Sequence, residues 1–398
     1  MTQKSRVLIY SHDTFGLGHL RRCQGLAEAI VENFDHASVM ILSGSPIIGS
    51  FEYRSRVDFV RVPGVIKLRN GEYTSLNPKI DIDETLSLRS SIIEHTASIY
   101  KPDIFIVDKE PYGLRGEVRP TLSLLKKQGT RLVLGLRDVL DDQEILAQEW
   151  ARKDSYRALS DLYDDIWVYG LPSIYDPLAG LPISDAVRDK IVFTGYLRRQ
   201  LPRFDPNHPQ PFDGDPFILV TPGGGADGIE LVDWVLRAYE AQERPLFPAL
   251  IVLGPFMAHN DQLAFFERAQ SLRNVKTMRF TPQLEPLIND AVALVGMGGY
   301  NTFCEALSFD KPTLLIPRVV PRREQAIRAE QAEKLGLCTH LPIDDYPDVS
   351  AITEALAELP DQPLPSQHFV PGLLDGWETI RELLAPFLET PALKRSLP

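Results

Sequence analysis

Ala293-Leu294-Val295-Gly296-Met297-Gly298-Gly299-Tyr300-Asn301-Thr302-Phe303-Cys304-Glu305 reads as a short strand, a glycine turn and the start of a helix. The apolar run is continuous rather than alternating, as in a parallel strand covered on both faces. The Gly298-Gly299 step exposes backbone N–H groups where a helix begins, which makes an anion site without any cation. Thr302 adds a hydroxyl donor. Glu305 lies about one and a half turns into the helix. A carboxylate there can accept from a vicinal diol, although an early-helix glutamate that complements the helix dipole is an equally ordinary reading.

The same grammar extends in both directions. Upstream in the second half lie strand Phe217–Thr221, helix 229–242, strand Ala249–Leu253, helix Gln262–Leu272 and strand Val275–Phe280; strand Thr313–Ile316 follows. In the first half, Val7–Tyr10, Ser38–Leu42, Ile104–Asp108, Arg131–Leu136 and Asp165–Tyr169 read as strands. Leu20, Cys23, Leu26, Ala27, Ile30 and Val31 form a helical stripe between the first two. Strands alternating with helices imply parallel sheets. The expected architecture is α/β: two doubly wound, Rossmann-like parallel-sheet domains facing a cleft. The reading places an acceptor-side domain at 1–200, a proline-rich linker at 201–215 and a ligand-binding domain at 216–370. A segment at 371–398 carries a helix from Leu373 to about Leu388 that packs back on the first domain. Ligands of such sheets sit at the carboxyl ends of the strands.

Bulk properties narrow the function classes. A chain of 398 residues suits two domains. A net charge of −12 argues against a broad nucleic-acid footprint. No apolar run is long enough to span a bilayer, and the N-terminus leaves no room for a signal peptide. Cys23, Cys304 and Cys338 cannot all pair and lack metal-like spacing, so the simple expectation is a cytoplasmic protein. The pairs Arg21-Arg22, Arg198-Arg199 and Arg322-Arg323 read as solvated surface.

Two further glycine turns follow strands. Gly16-Leu17-Gly18-His19 opens the first helix, but it lacks the third glycine of a dinucleotide fingerprint, and no acid closes the second strand. His19 is either a hydrogen-bonded helix-start histidine or a general base kept neutral by the helix N-terminus. Gly223-Gly224-Gly225 fits a loop that passes close to a diphosphate.

These residues together resemble a known family. Thr281-Pro282-Gln283, Gly299-Tyr300-Asn301-Thr302, Glu305, Pro312, Pro317 and Glu324-Gln325 are similar to the donor signature of inverting GT-B glycosyltransferases. The resemblance takes in the peptidoglycan lipid-intermediate N-acetylglucosaminyltransferases and the nucleotide-sugar enzymes of secondary metabolism. It is densest over residues 275–337, and Gly18-His19 matches the family's N-terminal turn. It implies a GT-B fold and metal-independent, inverting transfer of a hexosyl or N-acetylhexosaminyl group. The donor would be a nucleotide-diphospho-sugar, with UDP favoured, and the acceptor a hydroxyl, a lipid-linked one included. The nucleotide-sugar is then a substrate and no cofactor is called for.

The implied base is His19, with Asp108 as the residue to orient it. The implied donor contacts are Gly18, Gly223, Gly224, Gly225, Phe280, Thr281, Gly298, Gly299, Tyr300, Asn301, Thr302, Glu305, Glu324 and Gln325. Position 297, where the family often has His or Arg against the phosphate, is Met297, so Arg137 or Arg318 is the candidate phosphate contact. The resemblance does not identify the acceptor. Arg69–Tyr73, Asp108–Gly113 and Leu136–Asp142 are candidate acceptor loops, and Val65–Arg69 is either a lipid-touching segment or an ordinary loop. A nucleotide-sugar 2-epimerase and a non-catalytic sugar-nucleotide binder are the rival readings.

Overall fold

The computed structural model describes residues 5–12, 18–67, 72–202, 210–241, 244–343 and 348–389. The first domain holds β1 (Ser5–Tyr10), β2 (Ala37–Ser43), β3 (Val57–Arg61), the small antiparallel pair β4 (Val65–Lys67) and β5 (Tyr73–Ser75), then β6 (Ile104–Asp108), β7 (Arg131–Arg137), β8 (Asp165–Tyr169) and β9 (Ile191–Phe193). Its helices are α1 (Gly18–Asn33), α2 (Ile82–Tyr100), α3 (Arg119–Lys127), α4 (Gln143–Arg152), α5 (Ser155–Asp161) and α6 (Asp185–Arg188). Seven strands form one parallel sheet in the order β3-β2-β1-β6-β7-β8-β9.

The second domain holds β10 (Ile218–Thr221), β11 (Ala249–Val252), β12 (Val275–Met278), β13 (Ala293–Gly296), β14 (Thr313–Leu315) and β15 (Thr339–His340). They form a six-stranded parallel sheet in the order β12-β11-β10-β13-β14-β15. Around it lie α7 (Ile229–Ala241), α8 (His259–Gln270), α9 (Glu285–Asp290), α10 (Tyr300–Ser308), α11 (Glu324–Lys334) and α12 (Val349–Glu358), and α13 (Gly376–Leu388) ends the described chain.

Each sheet is covered on both faces, which explains the unbroken apolar runs. Val7 and Ile9 of β1 belong to one core, Leu8 and Tyr10 to the core on the opposite face. Of the strands that the sequence pattern does not reveal, β3, β9 and β15 lie at the edges of the two large sheets, and β4 and β5 form their own two-stranded pair. Edge strands bury less, so Val57-Asp58-Phe59-Val60-Arg61 admits charges and loses the apolar signal.

The strand order reverses between β1 and β6 in the first sheet and between β10 and β13 in the second. Ligand crevices open at such points. His19, Asp108 and both described glycine turns follow these four strands. The two domains share apolar contact: Tyr300, Phe303, Cys304 and Leu307 of α10 join the core that α1 and Tyr196 build. The helix α13 returns to the first domain, with Ile380, Leu384 and Leu388 in that same core and Trp377 donating to the Arg198 carbonyl at 2.6 Å. No described helix is long and apolar enough to cross a membrane. In the Val65–Arg69 segment, Val65–Lys67 is strand β4; positions 68–71, the linker core 203–209 and the turn 13–17 lie outside the described residues.

Candidate active site

His19 stands in the first turn of α1, and Asp108 ends β6 on the adjacent strand. The His19 Nδ1 meets Asp108 Oδ2 in a short hydrogen bond. An ionised carboxylate only accepts, so Nδ1 carries the hydrogen and Nε2 keeps its lone pair. Asp108 Oδ1 accepts from Arg22 Nε at 2.9 Å and Nη2 at 2.6 Å. Arg22 lies one helical turn after His19 and both its side chain and that of Asp108 are almost fully buried, at 1% and 2% exposure. Burial alone would raise the Asp108 carboxyl, but Arg22 and His19 outweigh it and hold it well below the usual carboxylate range. Burial pushes His19 down to about 4 against the partial opposition of Asp108. The imidazole is therefore neutral at pH 7, with a carboxylate placed to stabilise the imidazolium as it forms.

The arginine pairs expected as solvated surface divide: Arg198 and Arg323 are exposed, whereas Arg21, Arg22, Arg199 and Arg322 are drawn into ion pairs and hydrogen bonds. Arg22 belongs to the buried stripe of α1. Arg21 reaches across to the second domain, with Nη2 on Glu285 Oε1 at 2.5 Å and Nη1 on Glu305 Oε1 at 3.0 Å. Arg199 donates to Asn301 Oδ1 at 2.8 Å, and Arg322 pairs with Glu149 at 2.9 Å. His12 was also missed. It is buried beside His19 at a ring separation of 5.7 Å, its Nδ1 has no hydrogen-bond partner among the described residues, and burial keeps it neutral. No spacing signal could have found it.

On the opposite wall, Gly298 adopts a left-handed φ of +76° and Gly299 precedes α10. No side chain caps α10, so the N–H groups of its first turn are left for a ligand. The Gly223–Gly225 loop packs its backbone against Gly254, where a Cβ on Gly225 would stand 2.3 Å from the Leu253 carbonyl oxygen. The N–H of Gly223 is taken by Thr221 Oγ1 at 3.1 Å, which leaves Gly224 and Gly225 as the open amides of that loop. Asn301 Nδ2 donates to the Gly18 carbonyl at 3.2 Å and so ties the His19 turn to the start of α10.

Several expected donor contacts sit differently. The Tyr300 ring is buried between domains, stacked 6.0 Å from Tyr196 and flanked by Arg22 and Arg328, because an aromatic face matches guanidinium planes. Thr302 is buried against Gly296. Glu305 is buried with Arg21 as its partner; burial and Glu285 raise its carboxyl while Arg21 lowers it. Phe280 lies beyond the end of β12, and Thr281 closes its loop by accepting from Gln283 N at 3.2 Å.

Glu324 opens α11 at 4% exposure. Burial raises its carboxyl, but Arg318, Arg137 and Arg328 together hold it low, and its Oε2 has no hydrogen-bond partner among the described residues. Gln325 accepts from the Arg318 backbone N–H at 3.2 Å. Arg318 itself is engaged by Glu324 at 2.8 Å and Asp227 at 3.1 Å, which disfavours it as the phosphate cation. Arg137 makes no hydrogen bond or ion pair among the described residues, and its Nε is closed off from solvent. Of the candidate acceptor loops, Asp138 is wholly buried, bound by Arg328 at 2.6 and 2.7 Å and by the Tyr196 hydroxyl at 2.8 Å. Glu110 is held by Lys153 at 2.9 Å.

Residues 217–366 match the glycosyltransferase family 28 C-terminal domain. The fold is GT-B. The calicheamicin glycosyltransferase CalG4 superposes over 100% of both chains at 15% identity with a TM-score of 0.62. MurG of Acinetobacter baumannii covers 96% of this chain and 99% of its own at 12% identity and a TM-score of 0.58. UGT2 of Phytolacca americana, solved with UDP-2-fluoro-glucose and pterostilbene, covers 95% and 94% at 13% identity and 0.60. An uncharacterized glycosyltransferase of Methanosarcina acetivorans is 32% identical over 117 residues, which span 28% of this chain and 30% of that relative.

Proposed function

We propose that this GT-B protein is an inverting glycosyltransferase that moves a hexosyl or N-acetylhexosaminyl group from a nucleotide-diphospho-sugar to a hydroxyl acceptor. The observation that carries the reading is the His19–Asp108–Arg22 relay facing uncapped glycine-turn amides across the interdomain cleft. His19 Nε2 takes the acceptor proton as the hydroxyl oxygen attacks the anomeric carbon. Asp108 stabilises the imidazolium, and Arg22 keeps Asp108 ionised and in place. The bond from the anomeric carbon to the phosphate oxygen breaks with its electron pair on that oxygen. The open amides of Gly224, Gly225, Gly298 and Gly299 receive the charge that develops there.

Glu305 takes the ribose diol once Arg21 yields it, and the free Oε2 of Glu324, with Gln325, takes sugar hydroxyls. UDP is the favoured nucleotide, supported by the UDP-sugar analogue held by the structurally similar Phytolacca americana enzyme. A lipid-linked acceptor, with the protein on the membrane surface, fits a place in cell-envelope or exopolysaccharide synthesis.

A thermal-shift screen against UDP, GDP and their hexose and N-acetylhexosamine sugars tests this reading. A ligand at 100 times its dissociation constant stabilises the fold by about 2.7 kcal/mol. Failure of every nucleoside diphosphate to stabilise the protein would overturn the donor site. Formation of an epimer from UDP-sugar alone would replace transfer by 2-epimerisation.

A further inference from the structure

The departing diphosphate gathers negative charge, and backbone amides carry only partial charges to meet it. Met297 offers nothing, because its side chain is 6% exposed and belongs to the apolar core of the second domain. Other guanidiniums at the cleft are already engaged: Arg21 by Glu285 and Glu305, Arg22 by Asp108, Arg318 by Glu324 and Asp227, Arg322 by Glu149 and Arg328 by Asp138, while Arg199 donates to the Asn301 amide oxygen. Arg137 differs. It ends β7, and the next residue, Asp138, holds Arg328, whose Nη1 donates to the Gly298 carbonyl at 2.6 Å. The charges that act on Arg137 include Glu324 and Arg328 of α11, so its side chain faces the second domain on the side where Arg328 holds the Gly298 carbonyl. Arg137 is half-buried, with its Nε shielded from water and unpartnered among the described residues, and a shielded charged donor is costly until an anion meets it.

Resting on the donor reading above, we propose that Arg137 is the cation for the leaving diphosphate, supplied by the first domain to a donor otherwise held by the second. Burial lowers Arg137 to about 10, with Glu324 in opposition, so it stays charged at neutral pH and open to an anionic partner. The anomeric C–O bond breaks, the electron pair stays on the phosphate oxygen beside Arg137, and the acceptor proton goes to His19. Leaving-group stabilisation then requires both domains together, and the diphosphate itself draws them closed.

The test uses the full chain, with calorimetric titration of UDP and uridine, then GDP and guanosine. In Arg137→Met the diphosphate affinity falls by roughly ten- to a hundredfold while nucleoside affinity holds. Arg137→Lys recovers part of the loss, and kcat falls further than KM rises. Arg137→Gln serves in place of the methionine variant if that one fails to fold. A folded neutral variant that keeps the wild-type ratio of diphosphate to nucleoside affinity overturns the assignment of Arg137. Wild-type protein that prefers neither diphosphate over its nucleoside overturns the donor reading beneath it.

Discussion

Asp108→Asn removes the charge on which the proposed relay turns while keeping the side chain's shape. In the native protein Oδ2 accepts the His19 Nδ1 proton and Oδ1 accepts from Arg22 at 2.6 and 2.9 Å. Asparagine has one acceptor oxygen, and the charged guanidinium claims it. The amide NH2 then turns to His19 and donates to Nδ1, which moves the imidazole hydrogen to Nε2. The atom meant to receive the acceptor proton becomes a donor, and no carboxylate remains to stabilise an imidazolium. The same change in a serine-protease triad costs about 10⁴ in kcat, and general-base catalysis contributes about 10²–10⁴. The expected loss is therefore about 10³–10⁴ in kcat, or about 4–5.5 kcal/mol of barrier.

Stability falls separately. Arg22 is 1% exposed and keeps only a neutral partner, so the cost approaches the lower end of the ~3–5 kcal/mol for breaking a buried pair. Nucleoside diphosphate release measures kcat, near-ultraviolet circular dichroism confirms the fold, and calorimetry follows donor affinity, which stays within about threefold because Asp108 touches no donor group in this mechanism. A folded variant with kcat within tenfold of wild type would refute the relay.

Three other perturbations read different parts of the structure. Arg328→Met leaves Asp138 buried with the Tyr196 hydroxyl alone, and urea unfolding should show a loss of about 3–5 kcal/mol; a loss below about 1 kcal/mol contradicts the pair's importance. Gly225→Ala drives a Cβ to 2.3 Å from the Leu253 carbonyl oxygen and should weaken nucleoside diphosphate binding at least about tenfold. Gly223→Ala meets no atom within 4 Å and should bear only left-handed strain of about 1–2 kcal/mol, so equal effects of the two changes would be inconsistent with the loop geometry. His19 is protonated near 6.5 when unfolded and near 4 when folded. The unfolded state therefore takes up its proton first as pH falls from 7.5 to 4, and this residue alone removes about 3 kcal/mol of stability. Urea midpoints across that range should fall less steeply in His19→Gln, and parallel curves would count against the burial of His19 as a neutral group.

The amino-acid sequence alone determined the parallel α/β architecture and the strand ends at which a site forms. Continuous apolar runs encode two-sided burial, and glycines after Val295 and Thr221 encode the turns, so both are local signals. Edge strands such as β3 escaped because burial on fewer sides relaxes the pattern that reveals a strand. The tertiary structure decided which charges meet. Arg22 and Asp108 are 86 residues apart, Arg328 and Asp138 are 190 apart, and Arg21 finds Glu285 across 264. A charged pair in a helix looks the same in sequence whether water or a buried carboxylate faces it. Only the packing of the two sheets distinguishes the arginines that close the cleft from Arg137, whose Nε has no partner among the described residues.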